Sequence, residues 1–240
     1  MLFDWLIPTV MRLESFFSNF NGSPHQRAAI QQLAEDMPPE LLSPKAEWFQ
    51  IWKAGGKIVP FGVPYMSQMD LENGEEKCFT TAMAMLAKHY GAVEVQEEYE
   101  EIREIYGDTT SVLAQVKALE HVGLRPDFVQ NGTLDLIEAE IDAGRPVGVG
   151  WLHRGDLSRG EPAQGFGHWS VVIGYTENFL IMHDPRGEYD LERGVLKEGK
   201  TGKTVYYPRD TFQTRWAVEG GGSGWAMLVD PFPPMMQFDN

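Results

Sequence analysis

The chain has 240 residues, a formal charge of −15 and a pI near 4.8, a balance that repels phosphate backbones and anionic lipid and so argues against nucleic acid and membrane as partners. With 42% hydrophobic residues, 12% aromatic residues and seven Trp, it can bury a sizeable core without disulfide or metal staples, which suits one domain plus a small accessory segment. The single cysteine, Cys78, cannot form an intrachain disulfide and is a free thiol, as in a reducing compartment.

At the N-terminus Asp4 stands where a basic region would begin a signal peptide, and Arg12 and Glu14 interrupt any apolar run. No stretch reaches the roughly 20 apolar residues that cross a bilayer. The expectation is a soluble chain, cytoplasmic as synthesised, that another protein would release or package in a virion. Leu6, Val10, Leu13, Phe17 and Phe20 recur at helical spacing and predict a helix over 9–20. Ser23-Pro24 and Ser43-Pro44 each offer an N-cap followed by proline, starting helices near 24–35 and 44–53, the latter stopped by Gly55-Gly56. Residues 1–57 thus read as an N-terminal helical segment and 58–240 as the main domain.

Further helices are expected from Cys78 to Tyr90 and near 95–106, 111–122 and 133–143, punctuated by Gly107, Gly123 and Gly144. After Pro146 the period changes, and Val147–Leu152, Trp169–Tyr175, Phe179–His183 and Trp225–Val229 read as strands. Helices first and strands later predict an α+β domain with a largely antiparallel sheet. The glycine-rich stretch from Gly155 to Gly167 reads as a mobile loop bordering a cleft.

Cys78 opens an apolar helix, where unpaired amides favour a thiolate. His168 heads a strand after Gly165-Phe166-Gly167, and a hairpin to the next strand would bring Asp184 beside it to orient the imidazole. Gln68, upstream of the cysteine, offers an amide to a developing oxyanion together with the Cys78 N–H. His89 is about 16 Å along the same helix from the thiol and reads as structural. His183 and His153 are lesser candidates for the site, since His183 and Asp184 alternate along a strand and only one can face His168.

Gly194–Thr201 satisfies the phosphate-loop pattern but lacks a buried strand before it and a helix after it. The acidic run Asp70–Glu76 lacks EF-hand spacing, and Glu97, Glu98, Glu100, Glu101 and Glu104 read as a solvated helix face. No metal or organic cofactor is expected.

The motifs Val63-Pro64-Tyr65-Met66-Ser67-Gln68, Cys78-Phe79-Thr80-Thr81-Ala82-Met83, Gly167-His168-Trp169-Ser170 through Tyr175, and Asp184-Pro185 together resemble the bacteriocin-processing peptidase-like family, cysteine-peptidase family thirty-nine, of the papain-like superfamily. The resemblance covers roughly residues 58–230. It implies a papain-like fold and a thiol peptidase with Cys78 as nucleophile, His168 as base, Asp184 as orienting acid and Gln68 as oxyanion donor. The chain departs from the family in having Phe79 where glycine often follows the cysteine, and in a longer segment between Gln68 and Cys78. No transporter region follows, so the leader-peptidase role of exporter-fused members is not expected. The substrate expected is a peptide or protein, with a peptidoglycan cross-link cleaved by a phage or bacterial enzyme as the narrower form. Trp151, Trp169, Trp216 and Trp225 would wall its groove. The competing expectation is a non-catalytic peptide-binding protein on a decayed peptidase scaffold.

Overall fold

The helix that begins at Cys78 is apolar on all sides, a composition that belongs in an interior. In the computed structural model, which describes residues 46–60 and 62–231, every side chain from Phe79 to Ala87 is buried. The helices expected over 9–20 and 24–35 lie outside the described residues. Of the helix expected over 44–53, Glu47–Lys53 (α1) is helical, and its Trp48, Phe49 and Ile51 join the same core as the central helix. That helix is Cys78–His89 (α2), followed by Gln96–Tyr106 (α3), Val112–His121 (α4), Leu134–Asp142 (α5) and Arg209–Trp216 (α6). Ser111 and Thr133 cap α4 and α5 by accepting from Ala114 and Leu136 N–H groups.

The strands are Lys57–Ile58 (β1), Leu124–Gly132 (β2), Val147–Arg154 (β3), Gln164–Tyr175 (β4), Phe179–His183 (β5), Tyr189–Asp190 (β6), Val195–Leu196 (β7), Val205–Pro208 (β8) and Gly224–Pro231 (β9). One antiparallel sheet runs β2-β9-β3-β4-β5-β8, with β1 added to β4, and β6 and β7 pair separately. The α+β class with a largely antiparallel sheet therefore holds. The sequence pattern missed β2 because Pro126, Asp127 and Gly132 break its apolar run. An edge strand tolerates such residues, and β2 is an edge.

The central helix lies close on the sheet because β3 carries Gly148. A Cβ there would come within 2.6 Å of Met83 Cε and 3.5 Å of Leu86 Cδ1. Burying Met83 and Leu86 completely contributes roughly 1.5–3 kcal/mol each. This close approach sets the start of α2 against the strand that carries His168.

Candidate active site

Lys77, the residue before α2, is fixed by an ion pair with Glu100 of α3, which Arg103 also grips at 2.7 Å. Glu100 is thus an anchor, unlike its solvated neighbours on that helix. The anchor holds the first turn of α2, where Cys78 is partly buried. The Cys78 thiol meets the His168 ring and the Trp169 backbone N–H.

His168 sits opposite Trp151 of β3, with ring centroids 5.2 Å apart, and its Nε2 donates to Asp184 Oδ1 at 2.7 Å. That leaves Nδ1 for the thiol. A register shift decides which residue of β5 faces His168. Next to the turn Tyr175 pairs with Leu180 and Gly174 with Ile181, but beyond Ile173 the pairs become Val172 with Met182 and Val171 with His183. Ile173 is the extra residue of a bulge, and its carbonyl accepts from Val59 N–H at 2.8 Å. Without the bulge His183 would share the face of His168. With it, Asp184 follows opposite Ser170, on the face of His168.

Burial pushes the Cys78 thiol up, but the hydrogen bond and charge of His168 and the Trp169 N–H outweigh it and leave its pKa lowered. Burial opposes a charged His168, but Asp184 and then Cys78 overcome it, and its pKa is raised. The pair therefore favours thiolate and imidazolium. Asp184, wholly buried, accepts from His168 and from the Arg186 N–H at Oδ1, and from the hydroxyls of Ser170 and Tyr207 at Oδ2. Sequence reasoning missed both hydroxyls. Ser170, two residues from His168 on one strand face, was findable by alternation, whereas Tyr207 lies on a strand that was not expected.

Gln68 is buried and donates both amide protons to backbone carbonyls, to Gly74 O at 2.5 Å and to Glu75 O at 3.1 Å, while its Oε1 has no partner. Its backbone N–H donates to Pro185 O at 2.9 Å, tying the loop before Cys78 to the segment after Asp184. In this conformation no amide proton of Gln68 is free for an oxyanion.

His183 lies away from the pair. Its Nε2 donates to Val63 O at 2.8 Å and its Nδ1 accepts from Thr204 N–H at 3.0 Å. His89 bonds Gly62 O, a structural role. His153 packs on His168 at 5.6 Å, and burial followed by the His168 charge lowers its pKa to about 4, so it stays neutral beside the imidazolium. Of the four tryptophans proposed for a groove, Trp151, Trp169 and Trp216 are core and only Trp225 is exposed.

The loop after β3 is more constrained than its glycines suggest. β4 begins at Gln164, Leu157 N–H donates to Glu192 O at 2.8 Å, and Arg215 grips Arg154 O and Gly155 O at 2.7 Å. Gly194–Thr201 holds β7 of a two-stranded hairpin and turns, with no helix behind it, so the phosphate-loop reading fails. The acidic run forms two short 3-10 turns. Among the described residues no cluster of His, Cys, Asp or Glu suits a metal ion, and no helix is long and apolar enough to cross a membrane.

A family model described as "Peptidase_C39 like family" matches residues 61–220. The pediocin PA-1 transport/processing ATP-binding protein PedD of Pediococcus acidilactici is 29% identical over 121 residues, 50% of this chain and 15% of that protein. The chain thus spans a small part of that relative's length. A protein described as a C39-like peptidase from Bacillus anthracis is 16% identical, with a TM-score of 0.51 over 72% of this chain and 98% of that one, a likeness of fold. The peptidase domain of Streptococcus ComA, a bi-functional ABC transporter involved in quorum sensing, is 20% identical, with a TM-score of 0.47 over 70% of this chain and 97% of that one.

Proposed function

Because the chain belongs to the Peptidase_C39 like family, we propose that it is a cysteine peptidase that cleaves a peptide or isopeptide bond with Cys78 as nucleophile, His168 as general acid and base, and Asp184 as the group that orients His168. The supporting observation is the His168 ring held between the Cys78 thiol and Asp184 Oδ1.

The Cys78 thiolate attacks the scissile carbonyl carbon, and the Cys78 N–H at the start of α2 stabilises the oxyanion. Gln68 joins as second donor once one of its carbonyl partners lets go. The His168 imidazolium protonates the leaving amine, a thioester remains on Cys78, and a water activated by the neutral imidazole hydrolyses it. No step calls for a metal or organic cofactor. A peptide or protein substrate agrees with the "transport/processing" of PedD's name. A peptidoglycan stem-peptide cross-link is the narrower form, and of Trp151, Trp169, Trp216 and Trp225 only Trp225 is exposed to bind it.

The commitment of both Gln68 amide protons to carbonyls favours a second reading, a peptide-binding protein without turnover. The deciding experiment incubates wild type and Cys78→Ala with a peptide library and with purified peptidoglycan, followed by mass spectrometry. Cleavage by wild type alone is the expected result. Cleaved library peptides with intact peptidoglycan discard the wall substrate, and no cleavage of either leaves the binding protein.

A further inference from the structure

His168 needs an acceptor for its Nε2–H, and Asp184, which provides it, is wholly buried. A buried carboxylate without partners takes up a proton instead. Here all four acceptor positions are used. Oδ1 takes His168 Nε2–H at 2.7 Å and Arg186 N–H at 3.1 Å, and Oδ2 takes the hydroxyls of Ser170 at 3.2 Å and Tyr207 at 3.1 Å.

Each hydroxyl also has its direction set from behind. Trp151 Nε1–H donates to Ser170 Oγ at 3.1 Å, and Tyr189 backbone N–H donates to the Tyr207 oxygen at 2.9 Å. Neither N–H can accept, so each hydroxyl proton is left to point at the carboxylate. Two relays that start on donors with no acceptor capacity thus end on Asp184 Oδ2, an arrangement that suits a carboxylate and opposes a carboxylic acid.

We propose that Ser170 and Tyr207 are positioning residues for the reacting pair: their hydroxyls, aligned by Trp151 and Tyr189, hold the Asp184 carboxyl in place as the acceptor of His168 Nε2–H and thereby set the protonation of His168 and, through it, of Cys78. This rests on the reading of Cys78 and His168 as the reacting pair. The titratable groups that face His168 are Cys78 from α2, His153 from β3, Tyr189 from β6 and Asp184 after β5, with Tyr207 from β8 on Asp184 and with Arg154 and Arg186 acting on Tyr189 behind it. His153 stays neutral down to about pH 4, and burial raises the pKa of Tyr189. Neither His153 nor Tyr189 therefore adds a charge beside His168 at neutral pH.

The test is the pH dependence of Cys78 alkylation by iodoacetamide in the full chain, for wild type, Tyr207→Phe, Ser170→Ala and Ser170→Thr, with a melting curve for each. Loss of either hydroxyl is expected to move the alkylation midpoint up by about one pH unit, the worth of a hydrogen bond to a charged group. Ser170→Thr, which keeps the hydroxyl, is expected to hold the wild-type midpoint. If Ser170→Ala does not fold, Tyr207→Phe carries the test, since it keeps the ring against Trp151. Variants that melt earlier but alkylate with the wild-type midpoint overturn the inference and leave the peptidase reading intact. A wild-type Cys78 that alkylates like an ordinary thiol overturns the reacting pair itself.

Discussion

The Phe79 ring lies flat on the Trp169 indole, with centroids 3.7 Å apart and planes 3° from parallel. Phe79 follows Cys78 and Trp169 follows His168, so the stack clamps the start of α2 to β4 one residue beyond Cys78 and His168. Gly150 makes the room, because a Cβ there would lie 2.9 Å from Trp169 Cε2. Phe79→Ala should cost about 3–5 kcal/mol in urea unfolding and slow Cys78 alkylation at neutral pH. Unchanged stability in that variant would mean that the stack contributes nothing to holding the helix.

The bulge at Ile173 assigns different work to two adjacent residues, His183 and Asp184. His168→Ala should lower kcat/KM by about 10²–10⁴. Asp184→Asn should cost less than that but remain clearly measurable, because the amide no longer balances an imidazolium. His183→Gln should stay within a few-fold of wild type in turnover, since its ring bonds Val63 O and Thr204 N–H. Steady-state kinetics on the three variants, once a substrate is in hand, checks the order. A His183→Gln variant as impaired as His168→Ala would contradict the register.

The helices from Cys78 to Asp142 were legible because apolar periodicity, Ser and Thr caps and terminal glycines all point the same way. Strands β2 and β8 were not. Pro126, Asp127 and Pro208 spoil their apolar runs, and they form only because the sheet supplies neighbours. The approach of Cys78, His168 and Asp184 followed from chain order and one hairpin, but the choice of Asp184 over His183 turned on a single-residue bulge. At that bulge Ile173 O accepts from Val59 N–H, just after β1, a contact no local pattern announces. Gln68 was singled out for its amide, yet nothing local could reveal that Gly74 and Glu75 carbonyls claim both of its protons.

Removing the Gln68 amide separates two roles. Gln68→Ala leaves the Gly74 and Glu75 carbonyls without their donor, so stability should fall by roughly 1–3 kcal/mol. If Gln68 also reaches the oxyanion during reaction, turnover should fall by about 10²–10³, well beyond the effect of a loosened loop. Denaturant titration and kinetics on one preparation distinguish them, and a stability loss with full turnover assigns Gln68 to the loop alone.

Buried histidines should make the fold acid-sensitive. Burial first of all lowers His183 and His89 to about 4, from an ordinary value of 6.5. Protonated His183 would have no lone pair for Thr204 N–H. A depressed folded pKa contributes stability that is present above the unfolded value and lost as pH falls through the folded one, so the window is pH 6.5 to about 4. Each group is worth on the order of 3 kcal/mol across it. His168 has the opposite sign. Its raised pKa gives stability that is full below 6.5 and lost as pH rises through about 10. Urea midpoints should therefore fall on both sides of neutrality, with His183→Gln flattening the acid side and His168→Ala the alkaline side.

Arg215 of α6 is wholly buried, and among the described residues no carboxylate forms an ion pair with it. Instead its guanidinium donates to the carbonyls of Leu191 at 2.5 Å, Leu152 at 3.2 Å, Arg154 at 2.7 Å and Gly155 at 2.7 Å. Burial lowers its pKa, and the charges of Glu192, Asp190 and Asp156 oppose that. The planar fork joins the end of β3 to Leu191, just after β6, and β6's Tyr189 and β3's His153 both pack on His168. A lysine presents one ammonium point and cannot span four carbonyls, so Arg215→Lys should behave as a loss. The expected cost is about 3 kcal/mol or more, as for breaking a buried charged network. The damage should be local before it is global. Limited proteolysis should cut the segment between Gly155 and Ala163 faster in Arg215→Lys than in wild type under conditions where both remain folded by circular dichroism. Equal cutting rates would mean that the Leu157–Glu192 contact and the β3–β4 pairing hold this loop without the guanidinium.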